Sequence, residues 1–358
     1  MWTIQRQESL NDLIKINTNT SKKYFCFLKP DVISSSEHLE SIYHPTDFDD
    51  TNNIVASDWT QLKLHESYTV PCFYIITAHG SDISDSIWNL RSKAHPLSVF
   101  SLWHFDNHVG YMANYISAIT VDLNFISHNL GITGYLTNPI AAIAAHIPSC
   151  SMQFGADEIR QEQSKYKHLD RISKGLFNYV SYENAPRAIT LNTLSQEIND
   201  IADFKLMPSN DRSRYWGLTR TERYLDWAAY KCSVIVPLVQ DLSTRVFDAL
   251  ATGQIPVIPE EIRDLDLVMT RDIQHSLGIV RIDNLSSECV RHGIIQAIQN
   301  FDDTGYLGIV KRTEFVINHA LIGHRISSML EVIDEIGSGK RDLVFGNGIN
   351  GIGAYLNS

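Results

Sequence analysis

The chain has 358 residues, is 44% hydrophobic and 20% charged, and carries a formal net charge of −11. That length suits two domains rather than one core, and the composition is that of a soluble globular protein. So acidic a chain is a poor partner for nucleic acid, which requires a basic surface, although a local basic pocket stays open.

Cys26, Cys72, Cys150, Cys232 and Cys289 occur singly, mostly in apolar runs and with no CxxC pair. They read as buried free thiols of a reducing compartment. Residues 1–8 lack an apolar signal core, and no apolar run reaches membrane-spanning length. The expectation is a cytoplasmic protein whose membrane contact, if any, is peripheral.

In chain order, Leu10 to Ile16 suits a short helix, Tyr24 to Leu28 a strand and Asp47 to Asn53 a polar loop. From residue 71 the pattern predicts strands at Cys72–Thr77, Leu97–Trp103, Val121–Ser127 and Ser149–Phe154. Helices are expected near Ile83–Lys93, Gly110–Ala118, Ile140–Ala145 and Asp157–Ser173. Strands alternating with helices imply a parallel sheet.

Two predicted strand ends carry polar clusters. One holds His104, Asp106 and His108, and the other Asp157 and Glu158. A carboxylate beside an imidazole orients it and stabilises its charge, which makes the first an acid/base candidate. Hydrogen-bonded loop residues, or a metal site, are the competing readings of His104-x-Asp106-x-His108. For Asp157 and Glu158 the competing reading is a favourable charge at a helix N-terminus. Ser127-His128-Asn129 is a third polar tip, read as lining the crevice.

Tyr179 to Arg187, with Asn184, Ala185 and Pro186, reads as an interdomain linker. Beyond it the pattern predicts strands at Ala188–Leu191 and Phe204–Pro208, with a helix over Ser195–Ala202. The loop Ser209–Arg223 contains Arg212, Arg214, Arg220 and Arg223 against only Asp211 and Glu222. It is either a clamp for a diphosphate or sugar-linked phosphate, or a solvated basic loop. A helix over Tyr224–Tyr230 leads into the most informative stretch.

Lys231 to Pro259 reads as strand, loop, helix, turn, strand. The run Cys232 to Leu238 is short, apolar and β-branched, as in a strand buried on both faces. Asp241 or Ser243 can cap a helix with Val246, Phe247, Ala249 and Leu250 on one face, and Gly253 suits the left-handed position that ends it. Ile255 to Pro259 is the partner strand of a parallel βαβ unit. Its chemistry lies where the first strand meets the helix. Unpaired N–H groups, the Ser243 and Thr244 hydroxyls and the planar Arg245 fork favour phosphate there. The alternative is that Asp241 and Ser243 only cap, while Arg245 pairs with Asp248.

The string Ser243-Thr244-Arg245-Val246-Phe247-Asp248-Ala249-Leu250-Ala251-Thr252-Gly253-Gln254-Ile255-Pro256-Val257-Ile258 resembles the donor-site signature of GT-B glycosyltransferases. It is closest to the exostosin-like pattern Ser-x-Arg-x-Phe-Glu/Asp-Ala-Leu-x-x-Gly-x-Ile-Pro-Val-Ile. The match covers about thirty residues, with Gln254 in place of the usual Cys and Asp248 in place of the commoner Glu. The resemblance implies that Ser243, Thr244 and Arg245 meet phosphate and that Asp248 reaches the ribose. It also places Glu260 and Glu261, after the second strand, near the sugar.

Downstream, a strand is expected at Leu277–Ile282 and helices at Ser287–Asn300 and Ile309–Leu330. By resemblance, Ile326–Ile336 would return to the first domain. Gly346-Asn347-Gly348-Ile349-Asn350-Gly351 fits GxGxxG without the strand and helix that give it meaning, and reads as a flexible tail.

The expected fold is α/β, with two Rossmann-like domains facing a central cleft (GT-B type). Residues 1–185 form the acceptor side, 186–325 the donor domain, and 326–358 a returning helix and tail. The resemblance implies a metal-independent glycosyltransferase without cofactor. It would move a sugar from a UDP-, GDP- or CMP-linked donor to a glycan or lipid-linked acceptor, as in bacterial surface polysaccharide assembly. An inverting enzyme would use Asp106 or His108 as base, and a retaining one Asp157, Glu158 or Asp241 as nucleophile. A nucleotide-sugar epimerase of the same fold and a non-catalytic binding protein are the rival readings.

Overall fold

Six apolar, β-rich runs in the first half pair side by side into one sheet. They are β1 (Lys23–Leu28), β2 (Ile54–Asp58), β3 (Cys72–Ala78), β4 (Val99–His104), β5 (Leu123–Ile126) and β6 (Ile143–His146). The computed structural model describes residues 10, 12–14, 23–28, 54–58, 71–78, 83–104, 120–128, 143–182, 185–208, 217–345 and 352–356. All six residues of β4 are buried, as a strand covered on both faces requires. Helix α1 (Ile83–Lys93) links β3 to β4. Its Arg91 donates to Asp122 at 2.9 Å and lies 4.5 Å from the Phe100 ring centre.

The chain divides into two compact units, and the second is essentially Cys150–Ile322. It opens with α2 (Ala156–Lys165), then β7 (Ile172–Ser181), α3 (Pro186–Glu197), β8 (Ala202–Pro208), α4 (Arg220–Ala228) and β9 (Tyr230–Val234). It continues with α5 (Arg245–Ala251), β10 (Ile255–Pro259), α6 (Asp264–Val268), α7 (Arg271–Ser276), β11 (Val280–Ile282) and α8 (Ser287–His319). The five strands are parallel, in the order β11-β10-β9-β7-β8. Both faces are covered: Ile235, Phe247, Leu250 and Ile258 belong to one apolar cluster, and Phe177, Val234, Val257 and Ile294 to the other.

The chain then returns to the first unit, to which residues 323–358 belong. Helix α9 (Ile322–Ser338) leads into β12 (Arg341–Phe345) and β13 (Ile352–Leu356). Strand β13 pairs in parallel with β6, and β12 pairs antiparallel with β13. The completed sheet runs β12-β13-β6-β5-β4-β3-β1-β2. The expected flexible tail therefore supplies two strands, β12 at the sheet edge and β13 beside it, with the GxGxxG string between them outside the described residues.

The α/β class and the signature βαβ unit stand. Ile255 pairs with Cys232 and Val257 with Val234 in parallel register. Gly253 takes a left-handed φ of 76°, with Gly253 N–H bonded to Leu250 O and Gln254 N–H to Ala249 O, both at 2.9 Å. This is the two-bond closure that glycine permits at a helix end.

Other boundaries move. The second unit begins at Cys150, ahead of the expected boundary at 186, because the supposed linker and the end of the supposed long helix form β7. Pro186 opens α3 at its first position, where a missing N–H costs nothing. Ala188, Leu191 and Leu194 are buried while Ile189 is 71% exposed, so 188–191 has helical rather than strand periodicity. Ile143–His146 is a strand where a helix over Ile140–Ala145 is expected. Pairing with β5 and β13 overrides that propensity. The predicted strand at Ser149–Phe154 is irregular chain.

Candidate functional site

In the second sheet the chain builds β7 and β8, then reverses direction to build β9, β10 and β11. The reversal falls between β7 and β9, and ligands of open α/β sheets bind outside the carboxyl ends of strands at such a point. The registered β7–β9 pairing ends at Leu176 with Ser233, short of the strand tip. The residues beyond it form the candidate site.

Tyr179, 1% exposed, spans the gap. Its hydroxyl donates to Val234 O at 2.9 Å and accepts from Val236 N–H at 2.7 Å. Burial raises its pKa, so the phenol stays protonated. Arg245, from the first turn of α5, places its guanidinium carbon 4.5 Å from the Tyr179 ring centre. Its Nε donates to Asn178 O at 3.0 Å and Nη1 to Ser243 Oγ at 3.4 Å. Arg187, from the first turn of α3, lies 5.2 Å from the same ring and 5.8 Å from that of Tyr182. Arg187 is 7% exposed, and burial followed by the charge of Arg245 lowers its pKa. Among the described residues neither guanidinium closes a salt bridge. A buried and a half-buried cation thus share one aromatic ring, an arrangement complementary to a ligand's negative charge.

The loop between β9 and α5 is fixed from within. Asp241 Oδ1 accepts from the N–H groups of Leu238 and Val239, across Gln240 at φ 57°. Asp241 is 6% exposed, and its charge draws the Arg187 pKa partly back up. Ser243, 8% exposed, also accepts from Arg245 N–H at 3.4 Å. Thr244 precedes α5 without a side-chain cap. Because α5 has only seven residues, the arginines rather than a helix dipole dominate the local field.

Asp248 departs from its implied role. It is 1% exposed, and it accepts from Ser151 Oγ at 2.7 Å, Met152 N–H at 3.2 Å and Gln153 Nε2 at 3.0 Å. Its carboxylate ties α5 to the irregular segment 151–153, which places it neither at a ribose nor in a salt bridge with Arg245. Asp157 is exposed and 3.6 Å from Arg160, while Glu158 accepts from Gly155 N–H at the start of α2. Burial raises the Glu158 pKa against the pull of Arg220, 3.9 Å away. Both acids therefore serve the helix start, and Arg220 is drawn to Glu158. Glu260 is held by both nitrogens of the Arg271 fork at 2.9 and 2.7 Å and by Arg281 at 3.3 Å; Glu261 is exposed. Asp106, His108, Arg212 and Arg214 lie outside the described residues.

The first unit has its own polar edge. Its strand register aligns His104 of β4 with Ile126 of β5, and Ile126 with His146 of β6. His104 Nε2 lies 2.7 Å from Asn124 Oδ1, and His128 is 4% exposed just beyond β5. Burial pushes the His146 pKa down to about 4, with a bond to the Ser127 backbone opposing and the Arg325 charge assisting.

Tyr179 and Arg187 are absent from the expected site, since both fell in the supposed linker. The alternation of Phe177 and Tyr179 with Leu176 and Asn178, followed by an Asn-Ala-Pro helix start, was the available signal.

No protein-family model matches this sequence, and no curated protein matches it. Among solved structures, the trehalose-6-phosphate phosphatase N-terminal domain of Candida albicans is similar at a TM-score of 0.50 and 8% identity, over 88% of this chain and 97% of that one. A glycosyltransferase from Rickettsia africae matches at 0.49 and 11% identity, over 88% and 99% of the chains. An alpha1,3-fucosyltransferase matches at 0.47 and 8%, over 90% and 91%. At these identities the likeness concerns the fold: an α/β chain of two Rossmann-like units.

Proposed function

We propose that this protein is a glycosyltransferase whose nucleotide-sugar donor sits at the carboxyl edge of the second sheet, its phosphates between Arg187 and Arg245. The observation that carries the reading is the pair of guanidinium groups on one tyrosine ring, Arg187 buried and Arg245 half-buried, with no salt-bridge partner among the described residues. Its sequence context, Ser243 to Ile258, is the stretch that resembles a donor-site signature. Glycosyl transfer develops negative charge on the departing phosphate, and fixed cations held in a desolvated site stabilise that charge without reorganising. In this reading the arginines do the work that a divalent cation does in other transferases, with Arg212 and Arg214 as a second clamp. Glu260, steered by Arg271 and Arg281, and Glu261 would meet the sugar hydroxyls. The acceptor, a glycan or lipid-linked glycan, belongs to the first unit, where Asp106 or His108 would supply the base. Bacterial surface polysaccharide assembly, in the cytoplasm or at its membrane face, is the setting that the resemblance favours. Among the described residues no helix is long and apolar enough to cross a membrane.

The test is a thermal-shift panel of CMP, UMP, UDP, GDP and ADP and their sugar conjugates, with and without EDTA. A ligand at a hundred times its dissociation constant stabilises by about 2.7 kcal/mol. A shift with one nucleotide that survives EDTA is expected. Arg245→Ala should weaken that ligand by roughly 10- to 150-fold, the equivalent of about 1.5–3 kcal/mol for a charge-assisted bond. No shift with any nucleotide, or an undiminished one in Arg245→Ala, overturns the assignment.

A further inference from the structure

We infer that Tyr179 is the positioning residue of this site: one side chain sets the place of both arginines and of the loop between them. The inference rests on the reading that Arg187 and Arg245 receive phosphate.

Where the β7–β9 pairing stops, the backbone groups of β9 that faced β7 lose their ladder partners, and buried backbone groups without partners are costly. On its other side β9 is still held by β10, with Ile235 N–H bonded to Val257 O at 2.9 Å. The Tyr179 hydroxyl takes over the open side, donating to Val234 O and accepting from Val236 N–H. The strands can therefore diverge to make room for a ligand without leaving either group unpaired. The same contact fixes the point from which the loop carrying Asp241 and Ser243 departs.

The ring has a separate task. Arg187 and Arg245 arrive on two different strand–helix connections, and the charge of Arg245 disfavours that of Arg187. An aromatic face attracts cations, most strongly where water is excluded. Tyr179 is fully packed, and among the described residues its ring is the one aromatic surface that both guanidinium groups share. It holds two like charges at one place before the anion arrives. The ligand then does not have to gather them, and less binding energy goes to ordering side chains.

The two tasks separate by mutation. Tyr179→Phe keeps the ring and loses the hydroxyl, whereas Tyr179→Leu loses both. Inorganic pyrophosphate is the probe, measured by calorimetry below the unfolding transition, with the nucleotide that shifts the wild type as competitor. Wild type should bind pyrophosphate competitively. Tyr179→Leu should weaken it by about tenfold or more, and Tyr179→Phe by no more than about threefold, on the scale of buried cation–ring contacts. Phe177→Leu is the packing control, because Phe177 is equally buried but stacks on Phe204 at 4.3 Å, away from both arginines. It should bind as wild type does. In an Arg187→Ala/Arg245→Ala background Tyr179→Leu should have no further effect, since the tyrosine acts through the arginines.

Wild-type affinity in Tyr179→Leu overturns the inference, and so does a loss matched by Phe177→Leu or repeated in the double-arginine background. In those cases the arginine site itself survives. If wild type binds neither pyrophosphate nor any nucleotide, the donor-site reading fails and takes the inference with it.

Discussion

Asp248 separates what the signature implies from what the fold does. Its two oxygens accept from Ser151 Oγ, Met152 N–H and Gln153 Nε2, and its exposure is 1%. Asp248→Ala strands those donors. The Ser151 and Gln153 side chains can turn elsewhere, but the Met152 N–H is fixed, and each buried unsatisfied group costs about 1–3 kcal/mol. Against this, the mutation removes the burial penalty of a carboxylate whose pKa burial already raises. The net expectation is a loss of about 2–4 kcal/mol. Asp248→Asn keeps an oxygen for Ser151 and Met152, and a flip of the Gln153 amide presents its carbonyl to the new NH₂ group, so the loss should be about 1 kcal/mol or less. Urea denaturation followed by circular dichroism measures both, with nucleotide affinity taken well below the transition. The structural reading requires Asp248→Ala to lose stability most, Asp248→Asn little, and neither to lose affinity. An unchanged urea midpoint together with weakened binding of the nucleoside moiety would falsify it and restore the ribose contact.

Burial holds His146 near pKa 4, below its unfolded 6.5, so the unfolded chain binds the extra proton first. Its contribution is present above pH 6.5 and is lost as pH falls toward 4, by about 3 kcal/mol in all. His146→Gln should flatten that part of the stability–pH curve, and an unchanged slope refutes the assignment. At Gly253 the left-handed φ of 76° and a Cβ only 2.6 Å from Ile309 Cγ2 make alanine costly. Gly253→Ala should lose about 2–4 kcal/mol of unfolding free energy, whereas a neutral result in denaturation would mean that α8 shifts freely.

The signature unit was legible because it is local. Apolar strands, a helix with one apolar face and a closing glycine specify β9, α5 and β10 within thirty residues, although the expected side-chain cap is absent, and Ile255–Pro259 appears where the pattern placed it. The sequence failed where pairing rather than periodicity decides. β6 is four residues of helix-compatible chain made extended by β5 and β13, and β7 hid between a helix read too long and a supposed linker. That error carried the site with it, since Tyr179 and Arg187 become neighbours of Arg245 only through the β7–β9 junction. Asp248 misled for the opposite reason. The residue type matched a ligand-binding pattern, but the segment at 151–153, nearly a hundred residues upstream, claims its oxygens.

Counting arginines would not have singled out the candidate site, because the same sheet holds a second arginine pair at its other end. Arg171 donates to Tyr230 O and Thr252 O at 3.3 and 3.0 Å, and Arg312 to Gly253 O and Leu277 O at 2.9 and 3.3 Å. Both also lie over Phe301, and burial lowers their pKa values to about 10 and about 9. These carbonyls follow α4, α5 and α7, where helix ends leave acceptors unsatisfied and cations are favoured. That pair is a structural device with its partners inside the fold. At the carboxyl edge the balance differs: Arg245 has one carbonyl and one hydroxyl, and Arg187 has aromatic faces alone among its described contacts. Among the described residues the amino-edge pair has four backbone acceptors, with Arg312 Nη2 left buried and unpartnered, whereas the carboxyl-edge pair has one, Asn178 O. In a chain of net charge −11, an anion has little reason to be drawn to the surface at large. On the function proposed above, a ligand's phosphate would add to the aromatic contacts of Arg187 and to the two hydrogen-bond partners of Arg245 at the carboxyl edge.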